Sequence, residues 1–105
     1  MTEQKEVKEL QVLKELPVLK VKAHEREDCR KTVVVSVKVA VVKYPMPRHI
    51  VLRVKFKDGS EKIVRAYFAS MYKDYAYYFL RAAHARELAP ALSQIQEVKA
   101  YEEEQ

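Results

Sequence analysis

The stretch RHIVLRVKFKDGSEKIVRAYF, residues 48–68, alternates apolar and polar side chains on both sides of one Asp-Gly pair. A period of two residues is the pattern of a half-buried β-strand. The turn residues between the two alternating runs predict an antiparallel hairpin. One face of this hairpin is apolar, and the opposite face carries basic and aromatic side chains.

The glycine at the turn decides how the two strands pair. A two-residue turn at Asp58-Gly59 would set Lys55 opposite Lys62, which is a repulsive pair. A three-residue loop with Gly59 in the left-handed bulge position instead sets Lys55 opposite Glu61. Favourable cross-strand pairs contribute about 0.2–1 kcal/mol each, so we predict the second register. It also sets Leu52 opposite Val64 and Ile50 opposite Ala66.

Two further strands are predicted before this hairpin. Residues 18–24 alternate, and residues 31–44 form a long β-branched run that disfavours a helix. We therefore expect a four-stranded antiparallel sheet over residues 17–69.

Helices are predicted at both ends of the chain. Residues 1–16 have leucines at three-residue steps and predict a short N-terminal helical arm. Residues 70–101 hold apolar side chains at helical spacing and predict a long C-terminal helix, kinked near Pro90. The predicted fold is a single α+β domain, residues 1–105, in which this helix packs on the apolar sheet face. Residues 102–105 form an acidic tail.

The charge is unevenly distributed along the chain. Residues 17–57 carry eleven cations and three acids, whereas residues 58–105 carry six cations and eight acids. Between Cys29 and Asp58 there are eight cations and no acid. A strand-forming segment of one charge sign indicates a polyanionic partner, most plausibly nucleic acid. Lysines that merely protect a solvated edge are the alternative.

The predicted function is non-enzymatic binding of single-stranded DNA or RNA. Phosphates would lie on the cations of one sheet face, while bases stack on its aromatic rings. A sheet surface favours single strands, because duplex-binding proteins commonly place a basic helix in a groove. The candidate nucleic-acid-binding residues are Lys20, Lys22, Lys38, Tyr44, Arg48, His49, Arg53, Lys55, Arg65 and Tyr67.

A protein-interaction or assembly module is the alternative function, such as a viral or accessory protein. In this interpretation the chain forms a homodimer through the sheet face or through the C-terminal helix. The apolar stripe of that helix spans barely two heptads, which is too short to establish a zipper. The candidate dimer contacts are Leu88, Ala91, Ile95 and Val98.

Other function classes find little support in the residues. With Gly59 as the sole glycine, a glycine-rich phosphate loop is excluded, and the histidines and Cys29 lack the spacing of a zinc site. We therefore expect no cofactor, no metal and no enzymatic activity. The chain has no apolar run long enough for a membrane span, and one cysteine suggests a reducing compartment, so we expect a cytoplasmic protein. The absence of asparagine, with abundant Val, Lys and Glu, is typical of thermophilic or designed chains.

Overall fold

The computed structural model of the chain describes residues 15–26 and 32–103. They form one seven-stranded, fully antiparallel sheet that curls into a half-barrel. In chain order the elements are β1 (Glu15–Leu16), β2 (Val18–Arg26), β3 (Thr32–Ala40), β4 (His49–Phe56), β5 (Glu61–Tyr72), β6 (Tyr75–Leu80), helix α1 (Ala82–Leu88), a 3₁₀ helix (Ala89–Gln94) and β7 (Ile95–Glu102). The strand order across the sheet is β1-β7-β4-β5-β6-β3-β2.

The central hairpin has the predicted bulged register. Lys55 pairs with Glu61, and Leu52 pairs with Val64. Gly59 has a φ of 92°, and its N–H donates to the Phe56 carbonyl at 3.0 Å. This is the left-handed conformation that glycine adopts at little cost. The prediction from the turn chemistry is therefore confirmed.

The predicted four-stranded sheet with a long C-terminal helix is wrong, because residues 70–72, 75–80 and 95–102 belong to strands. Tyr72, Tyr75 and Phe79 fit helical spacing, but the same segment also alternates with period two. Ala76 and Tyr78 are buried, whereas Tyr75 is exposed. Aromatic side chains favour strands, and the Lys73-Asp74 turn returns the chain along β5, with a φ of 53° at Lys73.

Helical structure among the described residues is confined to the 13 residues 82–94. The segment Ala82–Leu88 is rich in strong helix formers, and Pro90 lies at the start of the 3₁₀ helix that follows. Most of the predicted N-terminal helix, residues 1–14, falls outside the described residues, and Glu15–Leu16 is a strand that pairs with β7.

The core fills the concave interior of the curled sheet. Alternate side chains of the strands point inward, and α1 adds Ala85 and Leu88. Register shifts in β2, β5 and β7 mark bulges, which increase local twist and help the sheet to curl. None of the helices in the described ranges is long and apolar enough to cross a membrane. The core comprises Leu16, Val35, Val37, Val39, Met46, Ile50, Leu52, Val54, Val64, Ala66, Ala76, Tyr78, Leu80, Ala85, Leu88 and Ala100.

Candidate nucleic-acid interface

The predicted nucleic-acid-binding residues lie mainly on the outer, convex face of the sheet. The cross-strand pairs Lys20–Lys38 and His49–Tyr67 alternate with pairs that point into the core. This alternation directs the basic strand residues to the face opposite the core. No helix among the described residues covers that face. The outer face carries Lys20, Lys22, Lys38, His49, Arg53, Lys55, Arg65 and Tyr67.

Tyr44 and Arg48 lie in the connection before β4, at one end of the sheet. The Tyr44 side chain is 74% exposed, and its hydroxyl donates to the Met71 sulfur at 3.1 Å. The Arg48 carbonyl accepts a hydrogen bond from the Phe68 N–H at 2.7 Å. These two predicted residues therefore lie outside the strands whose alternate side chains form the outer face.

On one half of the outer face the cations have acidic neighbours. Arg53 donates to Glu61 at 3.0 Å, and the hydrogen bond and charge of Glu61 raise the pKa of that guanidinium. Lys55 faces Glu61 on β5 and Glu97 on β7. We call this region the paired half; its cations are Arg53, Lys55, Arg65 and Lys99.

The remaining cations of the paired half, Arg65 and Lys99, also have acidic neighbours. Arg65 forms an ion pair with Glu103, and the Lys99 amine lies 3.7 Å from Glu97 and 4.0 Å from Glu15. Exposed ion pairs of this kind contribute little to stability, about 0–1 kcal/mol. Their effect on a ligand is larger, because each carboxylate repels the phosphate that its cation would attract.

The other half of the outer face, formed by β5, β6, β3 and β2, has a different composition. Lys20, Lys22 and Lys38 lie on adjacent strands, and no carboxylate among residues 15–24 and 33–103 forms an ion pair with them. The Ser36 hydroxyl donates to the Lys22 carbonyl at 3.4 Å and joins β2 to β3. We call this region the lysine half; it comprises these three lysines with Tyr67, Tyr75, Tyr77 and Phe79.

Aromatic rings lie beside the lysines of this half. The Lys38 amine lies 4.0 Å from the centre of the Tyr75 ring, a cation–π contact. Tyr67 and Phe79 meet edge to face, with ring centres 6.4 Å apart and an interplanar angle of 80°. Tyr77 pairs directly with Lys38 across β6 and β3. The lysine half can thus offer ring faces and ammonium groups to one ligand.

Tyr75, Tyr77 and Phe79 were not predicted as candidate site residues, because their segment was assigned to a helix. The signal that identifies them is the strict alternation of residues 75–80, where Ala76, Tyr78 and Leu80 are buried. The interior side is anchored by Tyr78, whose hydroxyl donates to the Pro47 carbonyl at 2.6 Å. Every second residue of β6 therefore points outward.

The residues predicted as dimer contacts lie on or beside the core. Leu88 is 3% exposed, and Ile95 and Val98 pack against the core from the edge of the sheet. Ala91 is half-buried in the 3₁₀ helix. These four residues do not form a continuous helical stripe, because helix, 3₁₀ helix and strand follow each other between residues 88 and 98.

Comparisons with protein-family models, with curated proteins and with solved structures find no match to this chain.

Proposed function

We propose that this protein binds single-stranded nucleic acid through the lysine half of its outer face. The observation that carries the proposal is the co-location of Lys20, Lys22 and Lys38 with a row of aromatic side chains on four adjacent strands. Proteins that bind single strands combine a positive surface for the backbone with rings on which bases stack. Both parts are present on one surface.

The spacing of the lysines suits an extended polyanion. Lys20 and Lys22 are two residues apart on one strand, about 6.6 Å along it, and Lys38 lies opposite Lys20 on β3. Each lysine donates as a compact point charge and does not demand a fixed phosphate geometry. Such a surface favours backbone contacts that do not depend on base sequence.

The convex shape of the outer face favours a single strand over a duplex. A duplex is commonly recognised by a helix or ribbon inserted into a groove, and the short helix α1 packs Ala85 and Leu88 into the core. A flexible strand can instead follow a curved sheet and place its bases on Tyr75 and Tyr77. We expect single-stranded ligands to bind more tightly than a duplex of equal length.

Fluorescence anisotropy with labelled single-stranded DNA, single-stranded RNA and duplex DNA tests this function. The three ligands should have the same length, and each should be titrated at two salt concentrations. We expect both single strands to bind and their affinities to fall with salt, because bound lysines displace counterions from the phosphates. Absence of salt-dependent binding to either single strand would contradict the proposal.

Homodimer formation through the outer sheet face is the second candidate function. It is favoured by exposed apolar and aromatic side chains on this face, since on β5 Ile63 is 56% and Tyr67 41% exposed. Exposed apolar surface of this kind is characteristic of interfaces when it is contiguous. Sedimentation equilibrium with and without oligonucleotide separates the two functions: a dimer that oligonucleotide neither binds nor dissociates supports assembly alone.

We also propose a cytoplasmic location, which is supported by the single cysteine and by the presence of nucleic acid in that compartment.

A further inference from the structure

The outer face is interrupted where β6 ends at Leu80. Its neighbours continue past this point: β3 extends back from Ser36 to Thr32, and β5 extends back from Ala66 to Glu61. The chain enters α1 at Ala82, so no strand from residues 15–26 or 32–103 fills the space between β3 and β5. Two cavities open there, one on each side of the start of α1.

The cavity on the β3 side is apolar and aromatic. It has a volume of about 260 Å³, and its walls include Val34, Tyr67, Phe79 and Ala82, with His24 at one side. The edge-to-face contact of Tyr67 with Phe79 fixes one wall. Apolar walls with one polar group are the usual lining of a site for a planar organic ring.

The cavity on the β5 side is lined by basic side chains on one part of its wall and by the apolar side chains of Val51, Ile63 and Val64 on another. It has a volume of about 380 Å³, and Arg65, Arg81 and His84 contribute to its walls. The Nδ1 atom of His84 is buried and has no hydrogen-bond partner in the described part of the chain, so the fold does not fully use the polar groups of this ring. The carboxylate of Glu103 forms an ion pair with Arg65 at this cavity, so a phosphate that binds to Arg65 has to displace it.

The two cavities are adjacent. Arg65 and Tyr67 point outward from the same strand two residues apart, a distance of about 6.6 Å, and Arg81 precedes Ala82 directly in sequence. This spacing matches the short distance between the base and the phosphate of one nucleotide. Together the volumes are within the range of about 300–1,000 Å³ that is typical of small-molecule sites.

We propose that the end of β6 is a nucleotide-binding site, in which the apolar cavity holds a base and the Arg65–Arg81–His84 cavity holds its phosphate. The inference rests on the proposed function and extends it, because it assigns one nucleotide of the bound strand to a defined place. Arginine suits this role, since its planar donors can bind a phosphate in a bidentate manner. The phosphate displaces Glu103 from Arg65.

NMR titration with AMP, ribose 5-phosphate and inorganic phosphate tests the site without an oligonucleotide. Stacking of one base contributes about 1–3 kcal/mol, so AMP should bind roughly 5- to 150-fold more tightly than ribose 5-phosphate. Val34→Trp, which fills the apolar cavity, should remove this preference and leave the affinity for inorganic phosphate unchanged. Tyr67→Leu, at an exposed position, should do the same if the first variant does not fold.

Two further variants separate the phosphate cavity from the base cavity. Arg81→Gln should weaken the binding of all three ligands. Glu103→Gln should strengthen the binding of inorganic phosphate, because Arg65 loses its internal partner. Equal affinities of the parent protein for AMP and ribose 5-phosphate would overturn the proposal. It would also be overturned if the preference survived both Val34→Trp and Tyr67→Leu.

The same titrations distinguish this proposal from the proposed function. If single strands bind with salt dependence but AMP shows no preference, the nucleotide site is wrong and the lysine half still accounts for binding. If AMP binds as expected but single strands do not, the site takes mononucleotides and the proposed function is wrong.

Discussion

The two halves of the outer face have the same strand pattern but opposite electrostatic outcomes. In the paired half, Arg53 and Arg65 contact Glu61 and Glu103. In the lysine half, Lys38 instead lies over the Tyr75 ring. The difference shows that the charge of a strand in the sequence is a poor guide to its surface potential, because the neighbouring strands decide how much of that charge is neutralised.

The neighbours of each half come from different parts of the chain. Strands β5 and β7 belong to the acidic segment 58–105, and they supply Glu61 and Glu97 to the basic strand β4. Strands β2 and β3 pair with each other, and β3 pairs with the uncharged strand β6. Among the described residues, the sheet order therefore places carboxylates beside the cations of β4 and none beside those of β2 and β3 on the outer face.

The largest expected effect is on oligonucleotide affinity when the lysine half is neutralised. Lys20→Gln/Lys22→Gln/Lys38→Gln should weaken single-strand binding on the order of 100-fold at about 0.1 M salt, since each lost phosphate contact contributes about 0.7 to the salt slope. The slope itself should fall by about 2. Anisotropy at several salt concentrations measures both quantities.

The matched control removes three cations from the paired half: Arg53→Gln/Lys55→Gln/Lys99→Gln. The net charge changes equally, but these cations already have acidic neighbours, so affinity should fall by less than about 10-fold. Equal losses in the two triple variants would remove the distinction between the halves.

The next effect concerns Tyr78, the residue that anchors β6 from the interior. Burial, and to a lesser extent the charge of Glu102, raises the pKa of Tyr78 from 10.0 to about 12. Below pH 10 both folded and unfolded chains keep the phenol protonated. Between pH 10 and about 12 only the unfolded chain loses the proton, so the free energy of unfolding should fall by at most about 2–3 kcal/mol.

Denaturant unfolding at a series of alkaline pH values measures this loss. Tyr78→Phe should abolish the part of the alkaline loss of stability that comes from Tyr78. Tyr75→Phe, on the outer side of the same strand, should retain that loss. An unchanged alkaline loss in Tyr78→Phe would contradict the interior placement of this side chain.

A smaller effect is expected from removing one ring of the lysine half. Tyr77→Leu keeps an apolar side chain on β6 but loses the aromatic face, and stacking contributes about 1–3 kcal/mol per base. Single-strand affinity should fall about 10-fold without a change in salt slope. Tyr101 pairs with Val51 across β7 and β4, on the paired half. The control variant Tyr101→Leu should bind like the parent, and an equal loss of affinity in the two variants would place the bases elsewhere.

The turn between β4 and β5 sets the register in which the residues of the paired half face each other, and Gly59→Ala tests it. The positive φ of 92° is unfavourable for alanine, and no atom lies within 4 Å of the added methyl group, so backbone strain alone should lower the free energy of unfolding by about 1 kcal/mol. Thermal unfolding measures this change. Ser60→Ala, at the next position, removes the hydroxyl bond to Asp58 and serves as a comparison. An unaltered stability in Gly59→Ala would argue against the bulged register.

The smallest effect is a gain of binding on the paired half. Glu61→Gln should release Arg53 and raise single-strand affinity by a few-fold at low salt, because the charge–charge interaction is screened by solvent. Glu87→Gln has the same charge change but removes the partner of Lys62, away from this half. If Glu87→Gln raised affinity as much, the gain would reflect net charge and not the paired half.

Much of the local structure could be predicted from the sequence. The register of the central hairpin followed from the charges and from Gly59, because turn geometry and cross-strand pairs are local interactions. The helix predicted over residues 70–101 is wrong, since Tyr75 and Phe79, four residues apart, fit both the helical spacing and a period of two. Tertiary pairing of β6 with β3, which is 35 or more residues away in sequence, decides between them.

The candidate site could also be predicted only in part, because alternation within a strand is visible in the sequence whereas the pairing of distant strands is not. Alternation within β2, β3 and β4 identified the basic side chains of the outer face. The carboxylates opposite them could not be assigned, because β7 was expected to be helical and its pairing with β4 depends on the whole sheet order. The cavities beside Arg81 arise where β6 ends, and a strand end has no reliable sequence signal.

The most direct test of the central claim is to map by NMR which side chains respond to a short single-stranded oligonucleotide. We predict that the largest shifts occur at the ring signals of Tyr67, Tyr75, Tyr77 and Phe79 and at the ammonium groups of Lys20, Lys22 and Lys38. Shifts concentrated on Arg53, Lys55 and Lys99, or spread evenly over both halves, would contradict the account.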